Sequence, residues 1–181
     1  MDFDLLSRPA QLNCAVDAGA KWADSPREMA EQVDVLITCL PSPAASAMVM
    51  EAEDGALAGL GAGKIWAEMS TTDKDEVLRL GDKVKAVGAG PVDCPVSGGC
   101  HRAATGNIAI FAGCEREAFD KILPLLTTMG RRVLHTGPLG TASVLKVVTN
   151  YLATASLIAC AEALTVSKAA GMDLATAYEA I

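Results

Sequence analysis

The sequence lacks any run of basic residues, and its net charge is −7 with an isoelectric point of about 4.8. A protein that binds a nucleic-acid backbone needs clustered Lys and Arg side chains to displace the counterions of the phosphates. We therefore expect no nucleic-acid partner.

The six cysteines include no C-x-x-C pair, and the chain has only two histidines. The ligand spacing of a zinc site is therefore missing, and we expect no metal. Reduced thiols are favoured over disulfides. The opening residues MDFDLLSRPAQ also lack the basic segment and the apolar segment of a signal peptide. Together these absences predict a cytoplasmic protein.

No apolar run is long and pure enough for a typical membrane span. The most apolar segment extends from Val144 to Ala161, but it is interrupted by polar residues: Lys146, Thr149, Asn150, Thr154 and Ser156. A span is expected to contain about 20 apolar residues in succession. The sequence therefore favours the buried helix of a soluble protein or oligomer over a membrane helix, and we expect no membrane partner.

A G-x-G-x-x-G motif is also missing. The glycine-rich segment Gly55–Lys64 resembles a phosphate-binding loop, but it comes before a predicted strand. A phosphate-binding loop must instead follow a strand and begin a helix, so that backbone N–H groups point at the pyrophosphate. We interpret this segment as an ordinary surface turn.

Short apolar runs alternate with helical patterns over the first two-thirds of the chain, which is typical of a doubly wound α/β sheet with parallel strands. VDVLITCL (33–40) is β-branched and apolar throughout, as a buried parallel strand should be. From Gly140 the pattern is helical, with a break near Gly171. We predict an incomplete Rossmann-like dinucleotide-binding domain at residues 1–138 and the start of a helical substrate or dimerisation domain at residues 139–181. The helical part is too short to close a core alone, so partner chains are expected to cover it.

Ser7 and Arg8 follow DFDLL, which has the pattern of the second strand of a Rossmann unit. An acidic residue at the end of that strand binds the ribose hydroxyl of NAD, whereas a basic residue accommodates the extra phosphate of NADP. The two residues therefore favour NADP, with an exposed arginine at a strand end as the equal alternative.

The segment CPVSGG, residues 94–99, ends a predicted strand with Ser97, Gly98 and Gly99. Two adjacent glycines let the backbone turn sharply and present successive N–H groups, which suits a small carboxylate. A tight turn without a ligand is the alternative interpretation.

Lys146 is the only formally charged side chain between Arg132 and Glu162. On a helix that begins near Gly140, Lys146 and Asn150 stand at positions i and i+4 of the same face. Burial without an anionic partner would lower the pKa of the amine and suit it to proton transfer. The alternative is a lysine whose stem packs while its amine reaches water.

Five segments occur in the order and spacing of the β-hydroxyacid dehydrogenase family, and the chain resembles this family over nearly its whole length. They are ITCLP (37–41), AEMSTT (67–72), DCPVSGG (93–99), TGNIAIFAG (105–113) and HTGPLGTASVLKVVTN (135–150). The resemblance implies interconversion of a short β-hydroxy acid and its semialdehyde with NAD or NADP. It implies a Rossmann-like fold and a small-molecule partner.

The resemblance also implies a role for each matching residue. Lys146 is the catalytic acid and base, and Asn150 orients the substrate. Ser97, Gly98 and Gly99 hold the substrate carboxylate. Leu40, Pro41 and Thr71 line the dinucleotide site.

The chain departs from the family pattern in several places. The first strand and its glycine-rich loop are missing, Ala142 replaces a glycine, and the chain stops at Ile181 within the helical domain. A missing central strand leaves unpaired backbone on its neighbours. We expect a fragment truncated at both ends. The alternative function is an inactive remnant that folds by forming homo-oligomers through its long apolar helix.

Overall fold

The computed structural model describes residues 16–181. In its first half, three helices and three strands alternate: α1 (Pro26–Gln32), β1 (Val35–Thr38), α2 (Pro43–Glu51), β2 (Ile65–Glu68), α3 (Lys74–Ala86) and β3 (Gly90–Asp93). Serine side chains cap the amino ends of the first two helices, because the hydroxyls of Ser25 and Ser42 accept hydrogen bonds from the N–H groups of Glu28 and Ala45. In each helix a proline occupies the first position, where its missing N–H costs no helical hydrogen bond.

The second half contains β4 (Val96–Ser97), α4 (Gly99–Ala104), β5 (Ala109–Gly113), α5 (Arg116–Met129), β6 (Arg132–Gly137), α6 (Thr141–Ala169) and α7 (Leu174–Ala180). Cys94 and Pro95 separate β3 from β4. Proline has no N–H to donate to a neighbouring strand, which explains why pairing stops there.

The six strands form one sheet in which β1, β2 and β3 are parallel neighbours, β3 pairs with β5, and β5 also contacts β4 and β6. The Rossmann-like α/β class is confirmed. Within this class the sheet is mixed, because β5 runs antiparallel to β3 and β4 and parallel to β6. The chain reverses at Gly98 and Gly99, which have φ angles of 138° and 74°, and β5 returns beside the strands that precede this turn.

Two apolar clusters cover the two faces of the sheet, as expected for a doubly wound fold. Ile65 and Ala67 pack on one face with Ile122 and Leu126 of α5. Trp66 points to the other face and packs in a cluster formed by Ala30, Leu36, Met50, Leu80 and Val84. Alternate residues of β2 therefore face opposite layers, which is why this strand is apolar at almost every position.

The outer edge of β1 has no strand partner among residues 16–181. Beside it lies an apolar cavity of about 490 Å³, lined in part by Val16, Trp22, Met29, Ile37 and Leu40.

The segment Gly55–Lys64 comes before β2, as expected, but it is more than a surface turn. It includes a short 3₁₀ helix at Ala56–Ala58, and the side chains of Ala56 and Leu60 are buried against α1 and α2. A Cβ at Gly59 would lie 2.3 Å from the carbonyl oxygen of Arg27. The glycine therefore permits close packing.

Helix α6 begins at Thr141, after Gly140 in the left-handed conformation. Of its 29 residues only Ala142 and Ser143 are buried, so the expected buried helix is exposed in the single chain. Its length and composition would also suit a membrane span. These two properties are weak evidence, because long apolar helices of soluble proteins share them. The predicted domain boundary after residue 138 falls in the turn between β6 and α6.

Candidate functional site

The loops after β1 and β2 are joined by hydrogen bonds at the carboxyl end of the sheet. The Met69 N–H donates to the Thr38 carbonyl oxygen at 2.7 Å, and the Leu40 N–H donates to the Ser70 hydroxyl at 2.7 Å. Leu40 and Pro41 belong to the first loop, and Thr71 belongs to the second. The structure thus brings together the two loops that carry these predicted dinucleotide-site residues.

Two buried polar side chains support the same loops. Trp66 Nε1 donates to the hydroxyl of Thr38 at 2.9 Å, and Glu68 Oε1 accepts from the Ser70 N–H at 2.8 Å. The second carboxylate oxygen of Glu68 is buried without a hydrogen-bond partner in the described part of the chain. A buried acceptor without a partner lowers the stability of the folded chain. Its presence at the end of β2 is therefore a feature that a role in binding would explain better than stability does.

Dinucleotides bind Rossmann-like sheets outside the carboxyl ends of the strands. Leu40, Pro41 and Thr71 lie at this edge, and the apolar cavity beside β1 is also lined by Thr38, Cys39 and Leu40. These residues fit one side of a dinucleotide site. The pyrophosphate side does not fit in the same way, because the sequence has no G-x-G-x-x-G loop. Ser7 and Arg8 lie outside the described residues.

The Ser97–Gly99 bend connects β4 to α4. Gly98 has a φ of 138° and Gly99 a φ of 74°, conformations that favour glycine over other residues. A Cβ at Gly98 would lie 3.1 Å from Cδ of Arg102, whereas a Cβ at Gly99 would meet open space. Ser97 is half-buried, and both glycines are exposed. The sharp turn is as predicted. Carboxylate binding there stays a prediction.

Asp93 joins the end of β3 to the first turn of α6. Its side chain is fully buried. Oδ2 accepts from the Ser143 N–H at 2.7 Å, and Oδ1 accepts from the Ser143 hydroxyl at 2.8 Å. Burial raises the pKa of Asp93 above its ordinary value, although the hydrogen bonds from Ser143 act in the opposite direction. The sequence analysis missed both residues. The only signal was an acidic residue at the end of an apolar strand.

Lys146 and Asn150 lie on α6 one turn apart, as predicted. Lys146 is half-buried and Asn150 is exposed. The described residues place no carboxylate within ion-pair distance of the Lys146 amine. Desolvation by burial lowers the pKa of this amine from its ordinary value of 10.5. Half-burial without an anion is compatible with both interpretations, the proton-transfer group and the lysine whose amine reaches water.

The contact between Asp93 and Ser143 relates the two halves of the predicted site. Ser97 follows Asp93 by four residues, which span at most about 14 Å of extended chain. Lys146 follows Ser143 by three helical residues, a rise of about 4.5 Å. The strand that leads to the Ser97–Gly99 bend and the helix that bears Lys146 are therefore fixed to each other at one point.

Two cavities of the described residues can be compared with these groups. One cavity is the groove beside β1. The other, of about 330 Å³, lies at the amino ends of β2 and β3 and is lined by residues such as Lys64, Lys85 and Gly90. Neither is lined by Lys146, Asn150 or Ser97. The roles of these three residues stay predictions.

Comparison with known proteins identifies the relatives of this arrangement. Residues 5–137 match the family model of the NAD binding domain of 6-phosphogluconate dehydrogenase. The chain belongs to this family. The match covers the alternating α/β part and ends at the last residue of β6, directly before the turn into α6.

Characterised relatives of the chain are β-hydroxyacid dehydrogenases, as the sequence resemblance indicated. The chain is 30% identical to 2-(hydroxymethyl)glutarate dehydrogenase of Eubacterium barkeri over 99% of its own length and 59% of the relative's. It is 33% identical to NAD-dependent L-serine dehydrogenase of Pseudomonas aeruginosa over 94% of its own length and 57% of the relative's. The chain thus spans little more than half the length of these relatives.

A solved structure agrees in fold. The structure of Mycobacterium tuberculosis 3-hydroxyisobutyrate dehydrogenase with L-serine superposes with a TM-score of 0.84 at 26% identity. The superposition covers 91% of this chain and 56% of that one. The likeness includes the start of the helical part as well as the sheet.

Proposed function

We propose that this chain carries the substrate-binding and proton-transfer residues of an oxidoreductase that interconverts a short β-hydroxy acid and its semialdehyde with NAD or NADP. The observation that carries the proposal is the environment of the Lys146 amine. This amine is partly desolvated, has no carboxylate partner among the described residues, and lies on a helix tied through Asp93 to the strand leading to Ser97.

The names of the relatives support the substrate class. 2-(Hydroxymethyl)glutarate, L-serine and 3-hydroxyisobutyrate all carry a hydroxymethyl group on the carbon next to a carboxylate. We propose a substrate with the same unit, a primary alcohol whose oxidation gives an aldehyde. The carboxylate would accept hydrogen bonds from Ser97 and from the N–H groups of Gly98 and Gly99.

Each proposed residue has one task in the reaction. Bound NAD(P) supplies the hydride acceptor for the carbon that bears the hydroxyl group. The neutral amine of Lys146 accepts the hydroxyl proton during oxidation. In the reverse direction, protonated Lys146 stabilises the negative charge that develops on the aldehyde oxygen and then donates its proton. Asn150, one turn along the helix, orients the substrate.

Leu40, Pro41 and Thr71 are proposed to contact the cofactor, because their loops meet at the carboxyl end of β1 and β2. The family is an NAD-binding one, and one relative is named as NAD-dependent. Ser7 and Arg8 favour NADP. These indications point to different cofactors, so the affinities for NADH and NADPH have to be compared by titration.

The proposal is tested by titrating the chain with NADPH and NADH and by following reduction of a semialdehyde through the loss of cofactor absorbance. We expect saturable cofactor binding and reduction that Lys146→Met abolishes. The matched control is Lys168→Met, which removes an exposed lysine from the same helix. Failure of both cofactors to bind at millimolar concentration contradicts the proposal.

The exposed apolar residues of α6 favour a second candidate function. From Val144 to Ile158 seven large apolar side chains are exposed, namely Val144, Val147, Val148, Tyr151, Leu152, Leu157 and Ile158. A soluble chain would cover such a face by association. The alternative is thus an inactive homo-oligomeric remnant. A cofactor-binding dimer supports the enzyme, and a dimer that binds no cofactor supports the remnant.

The proposed location is the cytoplasm. The scattered cysteines support it, because Cys94 and Cys114 are buried and unpaired in the structure. Fractionation of the source cells tests this proposal, and recovery in a membrane pellet would contradict it.

A further inference from the structure

Helix α6 lacks a cap of its own. The first N–H groups of a helix have no acceptor within the helix and are usually satisfied by the side chain of the residue that precedes it. Here that residue is Gly140, which has no side chain. The acceptor comes instead from Asp93, 50 residues earlier in the chain, whose carboxylate binds both the N–H and the hydroxyl of Ser143.

This contact is one of very few that hold the helix in place. Only Ala142 and Ser143 are buried in α6. Besides the two hydrogen bonds from Ser143, the hydroxyl of Thr141 donates to the Pro138 carbonyl oxygen at 2.6 Å and lies 2.7 Å from the Thr136 hydroxyl. The full burial and these side-chain hydrogen bonds of α6 are therefore concentrated in its first turn. A small rotation of that turn moves every later residue of the rigid helix, beginning with Lys146.

We infer that Asp93 is a positioning residue, which fixes the Lys146 amine relative to the Ser97–Gly99 bend by capping α6 from the end of β3. The inference rests on the proposed function of Lys146. Burying a carboxylate is expensive, and Gly140 is held at a φ of 85°, where a serine or threonine would be strained, so α6 takes its cap from another element. Because that acceptor lies at the end of β3, the cap also sets where α6 begins relative to the strand that leads to Ser97.

The test uses the full chain and four variants. Asp93→Ala removes both acceptors, and Ser143→Ala removes one of the two hydrogen bonds while the carboxylate stays. Asp93→Asn is the conservative rescue, since its amide oxygen can accept from the Ser143 N–H and its amide nitrogen can donate to the Ser143 hydroxyl. Ile122→Val lowers stability in a separate cluster under α5 and controls for destabilisation.

The main measurement is the pH dependence of reductive methylation at Lys146, quantified by mass spectrometry. We expect Asp93→Ala to move the midpoint upward by at least half a pH unit, toward the value of a free amine. Ser143→Ala should move it upward by less, Ile122→Val should leave it in place, and Asp93→Asn should not move it upward, because the cap is kept while only the negative charge is lost. The direction is informative, because loss of a neighbouring negative charge alone would move the midpoint downward.

Turnover separates this inference from the proposed function. In an active chain, Asp93→Ala should lower kcat at least thirtyfold and change KM less than threefold, with Asp93→Asn restoring most of kcat. If the unaltered chain is inactive but its Lys146 midpoint responds to Asp93→Ala as described, the proposed function fails and the positioning stands. If the midpoint is the same in the unaltered chain, Asp93→Ala and Ser143→Ala, the inference is overturned whatever the activity.

Discussion

The N–H of Leu40 donates a hydrogen bond to the hydroxyl of Ser70 at 2.7 Å, and so joins the two loops at the carboxyl end of β1 and β2. Ser70 is buried, and its own N–H is bound by Glu68 of the preceding strand. The β1 loop, which carries the proposed cofactor residues Leu40 and Pro41, is therefore held at Leu40 by one hydroxyl of the neighbouring loop.

Ser70→Ala removes this hydroxyl and leaves the Leu40 N–H without its acceptor. We expect a loss of about 1 kcal/mol in the free energy of unfolding, as for other unsatisfied buried donors. Cofactor affinity should fall several-fold because the β1 loop is released. Urea denaturation and NADPH titration measure the two effects.

Ile122→Val is the matched control, because it also costs about 1 kcal/mol but lies in the cluster under α5. Equal weakening of cofactor binding by Ile122→Val and Ser70→Ala would show that the loop contact has no specific role.

Gly98→Ala and Gly99→Ala should differ in their effects although the residues are adjacent. At Gly98 the φ of 138° is strained for alanine, and the new methyl group would crowd Arg102, so we expect a loss of about 3 kcal/mol. At Gly99 the φ of 74° is less strained and the space is open, so about 1 kcal/mol is expected. Thermal denaturation measures both.

Gly61→Ala controls for the substitution itself, since Gly61 has ordinary backbone angles and open space around its Cα atom. A Gly98→Ala variant as stable as Gly61→Ala would contradict the described geometry of the bend.

Local patterns in the sequence predicted most elements of the fold. The strand containing Leu36 and the helix start after Gly140 were both indicated by the immediate neighbours of each residue. Such signals depend on backbone propensity and on the spacing of apolar residues, and both are determined by residues that lie within a few positions of each other in the chain.

Contacts between distant residues could not be predicted in the same way. The bond from Ser143 to Asp93 joins positions 50 residues apart. No pattern near Asp93 indicates that this residue would cap a helix. The antiparallel run of β5 was also missed, because an apolar strand reads the same in either direction. The exposure of α6 in the single chain was also not predicted, because an apolar pattern shows that a helix face is suited to burial but not which element covers it.

The exposed apolar face of α6 predicts self-association. Leu152→Glu together with Leu157→Glu places two charges on this face, where the unaltered side chains are 65% and 71% exposed. A monomer should tolerate the charges, whereas an oligomer that buries both leucines should dissociate. Light scattering after size exclusion at micromolar concentration measures the mass.

Val87→Glu, which alters an exposed apolar residue at the end of α3, is the control and should leave the mass unchanged. A monomeric unaltered chain would exclude association through α6 at that concentration.

Lys146→Met should stabilise the chain at neutral pH. Because desolvation lowers the pKa of Lys146 in the folded state, the folded chain binds fewer protons than the unfolded chain between the lowered value and 10.5. The charged amine therefore opposes folding most below the lowered pKa, and this effect disappears as the pH rises toward 10.5. We expect the stability gained by Lys146→Met to shrink over that window.

The gain is measured by urea denaturation at a series of pH values, with Lys168→Met as the reference for loss of a lysine from α6. A gain from Lys146→Met that is independent of pH would mean that the amine is fully solvated. This is the result expected if Lys146 packs only its stem and extends its amine into water. A gain that declines with pH places the amine in the desolvated environment that proton transfer to a substrate hydroxyl needs.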